Sequence, residues 1–311
     1  MVMIDNVTNA VLEIVTGFPT RIRINYEGIN KFRKIFRNYF EIYMSHIKNN
    51  FPVNGILRDG NVVKIESPAH LMTMLLDLRY LRYDELTDIT EFEADGTMIR
   101  LAGLNYGGDL GVFTGTYNID VKNRIVLDIG ANIGDSAVHF INSGASSVIA
   151  VEADPFTFDL LRKNVEINSL DKKVILINAA ISSKSGILRI PYRKANVIGT
   201  AANLLRYPDG SEGVEVKQMT LGSLIEEYQV SAGVMKMDCE GCEYSAFLDT
   251  EDSRVTNAFN EIAIEYHYGS EKLRKYFEKN GYKVEVTPEK KYYNKGTIPH
   301  IMHLGTMYAR K

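Results

Sequence analysis

The run Val126-Leu-Asp-Ile-Gly-Ala-Asn-Ile-Gly-Asp-Ser136 reads as a strand, a glycine loop and a helix start. Ile125 to Ile129 is a short apolar stretch bounded by turn formers, as a parallel strand buried on both faces should be. From Asp135 onward Ala137, Val138 and Ile141 recur at helical spacing. Between them, Gly130 and Gly134 let the backbone turn sharply and let a ligand approach it, while the free N–H groups of the helix start attract negative charge. A second strand lies in Val148-Ile-Ala-Val-Glu-Ala-Asp-Pro155 and ends in Glu152. That acid follows the first glycine by about 20 residues, the place where nucleotide-binding sheets hold ribose hydroxyls with a carboxylate.

The glycine spacing selects the nucleotide. A dinucleotide fingerprint needs G-x-G-x-x-G to seat a pyrophosphate, and here the pattern is Asp128-x-Gly130-x-Asn132-x-Gly134, which disfavours NAD and FAD. An acid ahead of the first glycine suits a cationic ligand with an amino group and no pyrophosphate. S-adenosylmethionine fits, with its ammonium near Asp128 and its ribose on Glu152. The plainer alternative is that the glycines and an Asp cap only close a helix.

Composition narrows the class. There are 36 Lys and Arg against 39 Asp and Glu, a net charge of -3, which gives no hint of a nucleic-acid partner. No apolar run approaches the roughly 20 residues of a membrane span, and Asp5 and Glu13 interrupt the segment where a signal peptide needs its apolar core. The expectation is a cytoplasmic protein. Two cysteines make no disulfide framework and are compatible with a reducing compartment.

Two regions are expected, an accessory region over 1–115 and an α/β domain over 116–311. In the first, Ile29, Phe32, Phe36, Tyr39, Phe40, Tyr43, Met44 and Ile47 recur at helical spacing opposite Lys31, Arg33, Lys34 and Arg37. This predicts one amphipathic helix whose aromatic face packs on the main domain; a lid, a homo-oligomer contact and a peripheral membrane contact stay open as alternatives. Asp59-Gly60 and Asp95-Gly96 mark hairpins, and Ser67-Pro68 opens a helix with Leu71, Leu75 and Leu78 inward. From Asn123 strands and helices alternate, so a parallel sheet covered on both faces is expected, with strands near 125–129, 147–152, 173–178, 233–238 and 260–266. Segments 187–190 and 214–216 read as a strand pair around a long polar loop, and the tail as strands near 282–287 and 302–309 joined by a loop carrying Lys290, Lys291, Tyr292, Tyr293, His300 and His303.

Ligands of open α/β sheets bind beyond the carboxyl ends of the strands, and two ends are loaded with chemistry. Met235-Lys-Met-Asp-Cys-Glu-Gly-Cys-Glu243 ends one and Glu261-Ile-Ala-Ile-Glu-Tyr-His267 the next. Alternation sets Lys236, Asp238 and Glu240 on one side, and likewise Glu265 and His267. If the strands are neighbours, these five candidate catalytic residues converge by the glycine loop. A hydroxyl acceptor for a methyl group needs a base, for which His267, Asp238 or Glu240 would serve, or a divalent cation held by the same groups. Spacing does not separate the two. Cys239-Glu-Gly-Cys242 lacks the partner ligands of a zinc site and the context of a redox motif, so both cysteines are read as packing.

With these motifs in hand, the chain resembles the FkbM family of S-adenosylmethionine-dependent methyltransferases over roughly Asn123 to Arg310. The resemblance implies the class I methyltransferase sheet, Rossmann-like with seven strands and the last antiparallel. It also implies O-methylation of a hydroxyl on a sugar, glycolipid or natural product. Carried over residue by residue, Asp128, Gly130, Ala131, Asn132, Gly134, Asp135 and Ser136 would form the methionine side of the cofactor pocket. Glu152 with Ala153 would clamp the ribose, and Asn178 with Ala179 would edge the adenine. Two rival classes remain: a catalytically silent binding module, and a nucleic-acid base methyltransferase. The latter usually carries an Asn/Asp-Pro-Pro-aromatic segment where this chain has Asp238-Cys-Glu-Gly241.

Overall fold

A computed structural model describes residues 26–104, 110–191, 213–250, 252–294 and 300–311. These divide into two compact units, one ending at Leu78 and the other running from Arg79 to Lys311.

In the first unit, helices α1 (Tyr26–Ile35) and α2 (Tyr39–Lys48) precede a hairpin of β1 (Val53–Ile56) and β2 (Val62–Ile65) and helix α3 (Pro68–Leu75). The single helix expected over 29–47 is therefore broken. Arg37 N–H donates to Ile56 O at 2.6 Å, Ile56 N–H donates to the Asn38 side chain at 2.8 Å, and Asn38 Nδ2 donates to Asn54 O at 3.0 Å. Strand β1 thus takes over the hydrogen bonds that a continuous helix would have made. The aromatic face, expected against the main domain, closes this unit's own core: Phe32, Phe36, Ile42 and Tyr43 are buried with Ile65 and Leu71. Both local signals after it hold, since Asp59-Gly60 lies in the hairpin turn and Ser67 caps α3 by accepting from His70 N–H at 3.1 Å, with Pro68 in the first turn.

The second unit begins 36 residues or so before the expected boundary near 115, with an antiparallel meander of β3 (Arg79–Asp84), β4 (Ile89–Ala94) and β5 (Thr97–Ala102). Asp95 and Gly96 both have positive φ, as the two central residues of a type I′ hairpin turn require. The meander joins this unit because Asn164 and Asn168 bond the backbone of Ala102 and Arg100 on β5.

Then follow β6 (Ile125–Ile129), α4 (Asp135–Asn142), β7 (Ser147–Glu152), α5 (Pro155–Ile167), β8 (Val174–Ile181), β9 (Gly186–Pro191) and β10 (Gly213–Met219). After them come α6 (Leu221–Glu227), β11 (Gly233–Met237), α7 (Cys242–Leu248), α8 (Ser253–Ala258), β12 (Phe259–Tyr266), α9 (Glu271–Lys279), β13 (Lys283–Val286), β14 (Lys290–Asn294) and β15 (His300–Arg310). The large sheet runs β13-β15-β12-β11-β6-β7-β8-β10-β9, with β14 also paired to β15. Its strands β8-β7-β6-β11-β12-β15-β13 form the expected seven-stranded sheet, with β15 antiparallel to both neighbours. The expected pair at 187–190 and 214–216 is β9 with β10. The stretch Lys290–Asn294, expected as loop, is a strand, because β15 is long enough to pair with β12 and β13 through its C-terminal part and with β14 before that.

Alternation along the central strands feeds two cores. Val126, Val148 and Val234 meet Phe140 and Leu161 on one face, while Leu127, Ile149, Met235 and Ile262 meet Phe247 and Phe277 on the other. Burial on both faces explains the mostly apolar runs that announce these strands, with Asp128 and Lys236 as a paired exception on neighbouring strands. No helix among the described residues is long and apolar enough to cross a membrane. The polar loop over 192–212, with Tyr192 and Tyr207, and the side chains of Tyr292, Tyr293 and His300 lie outside the described residues.

Candidate active site

At the end of β6 the chain turns through Gly130, whose φ is +73°. The N–H groups of Gly130 and Ala131 both donate to Val151 O, at 2.9 and 3.0 Å. A Cβ on Gly130 would stand 1.8 Å from Asp238 O, so this glycine admits the end of the neighbouring strand as well as any ligand. Gly134, at φ +89°, opens α4, and a Cβ there would meet Leu161 Cδ1 at 2.6 Å. Between the glycines, Asn132 N–H donates to Glu152 Oε2 at 3.0 Å, and Asp154 N–H donates to Glu152 Oε1 at 2.9 Å. Each carboxylate oxygen of Glu152 is thereby aimed by a backbone donor, and the carboxylate lines the cleft, where it suits a ribose diol.

A cleft opens here, with Gly130, Asn132, Glu152 and Ala153 on its polar side and Val151, Ala179 and Ile181 among its apolar walls. That lining has the character of a nucleoside-bearing site. Polar atoms for sugar and amino-acid parts lie by the glycine loop, and an apolar wall for a base lies by β8. The residues fit S-adenosylmethionine.

Six expected site residues do other work. Asp128 is wholly buried, with Oδ1 3.1 Å from Lys236 Nζ and Oδ2 accepting from Ser136 Oγ at 2.6 Å. The β6–β11 register sets Asp128 opposite Lys236, so the acid is engaged beneath the loop and does not face the cleft to meet an ammonium. Lys236, expected among the catalytic groups, donates from Nζ to Gly130 O at 2.7 Å. Burial would favour its neutral amine, but Asp128, Asp238 and Asp135 outweigh burial and raise its pKa, so it is a fixed cation that braces the glycine loop. Asp135 and Ser136 are likewise buried in the first turn of α4, and Ala131 is fully enclosed. Asn178 donates to Glu152 O at 2.8 Å and Ala153 O at 3.2 Å, holding the end of β7, while Ala179, Ala180 and Ile181 supply the wall expected of it.

The two loaded strand ends do meet. β11 and β12 are parallel neighbours with Met237 opposite Ile264, which brings Asp238 beside Glu265. Glu240 and Gly241 both take positive φ, a conformation that costs a non-glycine residue about 1 kcal/mol or more and reverses the chain so that Glu240 returns to the site. His267 is 2% exposed; its Nδ1 lies 3.0 Å from Glu243 Oε1, and its Nε2 lies 3.4 Å from Glu240 Oε2 and 3.7 Å from Asp238 Oδ1. Burial alone would lower the imidazole's pKa, but the Glu243 hydrogen bond and the charges of Glu243, Glu240 and Asp238 lift it to about 10. Burial, and then the Asp238 carboxylate, push Glu265 up to about 7.

Two residues at the site carried no assigned role in the sequence. Tyr117 Oη donates to Asp238 Oδ2 at 3.0 Å and lies 3.4 Å from Glu265 Oε2, joining the two strand ends. Nothing in its surroundings, Thr116-Tyr-Asn118, signals this. Glu243 was visible as the last acid of the Asp238 segment, yet its part depends on α7 turning it back under His267. The cysteines expected only to pack are joined, Cys239 to Cys242, in a disulfide that lines the cleft. The turn at Glu240-Gly241 brings the two side chains together.

Fold and cleft together define the class, a methyltransferase dependent on S-adenosylmethionine. The chain belongs to the FkbM methyltransferase family: the model described as "Methyltransferase FkbM domain" matches residues 128–284, from Asp128 through the glycine loop and both loaded strand ends to β13. Among curated proteins none matches in sequence. Similar solved structures include TYW2 of M. jannaschii in complex with AdoMet (18% identity, 74% of this chain, 90% of that chain, TM-score 0.37). Others are the M. jannaschii tRNA m1G37 methyltransferase (16%, 75%, 62%, TM-score 0.38) and the precorrin-6y C5,15-methyltransferase of Geobacter metallireducens GS-15 (13%, 64%, 85%, TM-score 0.36). Likeness at this distance says nothing about the acceptor.

Proposed function

We propose that the protein transfers the methyl group of S-adenosylmethionine to a hydroxyl oxygen of a sugar, glycolipid or natural-product acceptor. The observation that carries this reading is the position of Asp238 and Glu240, which line the cofactor cleft and also face the buried imidazole of His267. When bound, the cofactor supplies an electrophilic methyl group on a sulfonium. Glu152 holds the ribose, and the Lys236-braced loop at Gly130–Asn132 seats the methionine end. A neutral hydroxyl is a weak nucleophile, so the carboxylate–imidazole group acts on its proton, while Tyr117 and Glu243 fix the geometry of Asp238 and His267. Glu265, held near neutrality, is suited to receive that proton.

Calorimetric titration with S-adenosylmethionine, comparing wild type with Glu152→Ala, tests the cofactor assignment. Loss of two charge-assisted ribose bonds, each worth about 1.5–3 kcal/mol, should weaken binding by about 100-fold or more. Equal affinity in the two proteins would refute the ribose assignment. Incubating the enzyme with labelled cofactor and panels of hydroxylated sugars, glycolipids and polyketides then tests the acceptor class, and label on a nucleic acid alone would overturn it.

A further inference from the structure

We propose that Asp238, Glu240 and His267 bind a hard divalent cation, Mg2+ or Mn2+, and that the acceptor hydroxyl is activated on it. This inference rests on the methyltransferase reading above and names how its site works. One ligand atom from each of the three residues lies within 4.8 Å of the others. An octahedral ion with ligands at about 2.1 Å sets neighbouring ligand atoms about 3 Å apart, so modest side-chain rotation completes one face of the shell.

The three groups stand wider apart than a directly hydrogen-bonded pair. An imidazole N–H donating to a carboxylate would sit at about 2.7–2.9 Å. His267 Nε2 is instead 3.4 Å from Glu240 Oε2 and 3.7 Å from Asp238 Oδ1. The other ring nitrogen is engaged by Glu243, wholly buried, whose Oε1 lies 3.0 Å from Nδ1 and also accepts from Cys239 N–H at 3.3 Å. A carboxylate behind a histidine, fixing its ring and turning the far nitrogen to the site, is the usual support for a metal-ligating imidazole.

The local charge calls for a cation as well. Asp238, Glu240, Glu243 and Glu265 gather around this imidazole, while Lys236 is held by Asp128 and Gly130 O. Three protein ligands leave positions on the ion for water and for an acceptor oxygen. There the ion would lower the hydroxyl's pKa, and the proton would leave to water.

The test is a Mn2+ titration of the chelator-treated full-length protein, followed by the EPR signal of free Mn2+. We expect depletion of that signal to one ion per chain, and electron spin-echo modulation from a single directly bound imidazole nitrogen in the wild-type complex. Glu240→Gln and His267→Gln should each weaken binding at least tenfold, and Glu243→Gln about 10- to 100-fold through the ring it positions. Glu152→Ala should leave Mn2+ affinity within twofold. No depletion, or binding without nitrogen modulation, overturns the inference with no need of a variant. Adenosylmethionine binding without Mn2+ binding would sink the cation site and leave the methyltransferase reading standing; Mn2+ binding without adenosylmethionine binding would do the reverse.

Discussion

Replacing Gly130 by alanine should damage the protein far more than the removal of one flexible residue would suggest. The new Cβ would fall 1.8 Å from Asp238 O and 2.7 Å from Asp238 C, where ordinary contact begins near 3.4 Å. The obstacle is backbone, which cannot rotate aside. At φ +73° an alanine also carries about 1–2 kcal/mol of conformational strain. Overpacking of a well-filled site adds about 1–3 kcal/mol. Moving the two strand ends apart also threatens the bond from Asp238 N–H to Ile129 O, 2.9 Å long and worth about 1 kcal/mol. The total is about 3–6 kcal/mol, a large part of the 5–15 kcal/mol that holds a typical domain together. Urea denaturation measures it directly. Gly134→Ala is the comparison: its φ is similarly unfavourable, but its Cβ meets the Leu161 side chain, which can yield, so the loss should be smaller. A Gly130→Ala protein within about 1 kcal/mol of wild type, or more stable than Gly134→Ala, would refute the argument.

Two further outcomes follow from the same kind of reasoning. Asn164→Leu leaves Ala102 N–H, Ala102 O and Ile133 O without their side-chain partner, and at about 1–3 kcal/mol for each buried group it should cost at least about 3 kcal/mol in urea denaturation. Glu91 accepts two hydrogen bonds from Arg82, which with the nearby Arg100 depress its pKa below the usual 4.5. Its folded pKa lies below its unfolded one, so its stabilisation is present above about pH 4.5 and is lost as pH falls through the depressed value. Acid titration of stability should show this slope in wild type and a shallower one in Glu91→Gln; identical slopes would refute it.

The sheet was legible because its strands are buried on both faces. Val148–Val151 is apolar without a break, Val126–Ile129 and Val234–Met237 are interrupted only by the paired Asp128 and Lys236, and each is followed by a capped or glycine-led helix, so pattern and punctuation agree. What escaped was decided by contacts far apart in sequence. The α1–α2 break has a good helical pattern running through it and is imposed by Asn54 and Ile56. The unit boundary at Leu78 depends on asparagines more than 60 residues beyond β5. In the site, Asp238, Glu240 and His267 could be found because each sits at or just past a strand end. Asp128 and Lys236 were misassigned because alternation says which side of a strand a residue faces, but not whether a loop above already covers it. Tyr117 gave no signal, since its role exists only where β11 and β12 end side by side.

Asn164 on α5 and Asn168, which caps that helix at its C-terminus, also bear on how the molecule behaves in a crowded solution. Strand β5 is the edge of its small sheet, paired with β4 on one side only. On the other side, Asn168 accepts from Arg100 N–H at 3.1 Å and donates to Arg100 O at 2.6 Å, while Asn164 accepts from Ala102 N–H at 2.7 Å and donates to Ala102 O at 3.0 Å. Each primary amide presents one donor and one acceptor, as a peptide unit does, and the pair stands one helical turn apart on residues i and i+4. Together they imitate a neighbouring strand that ends after two rungs. An open edge of this kind is where chains add to one another in domain swapping and fibril growth, and here its groups at Arg100 and Ala102 are taken by side chains that offer no onward edge to extend.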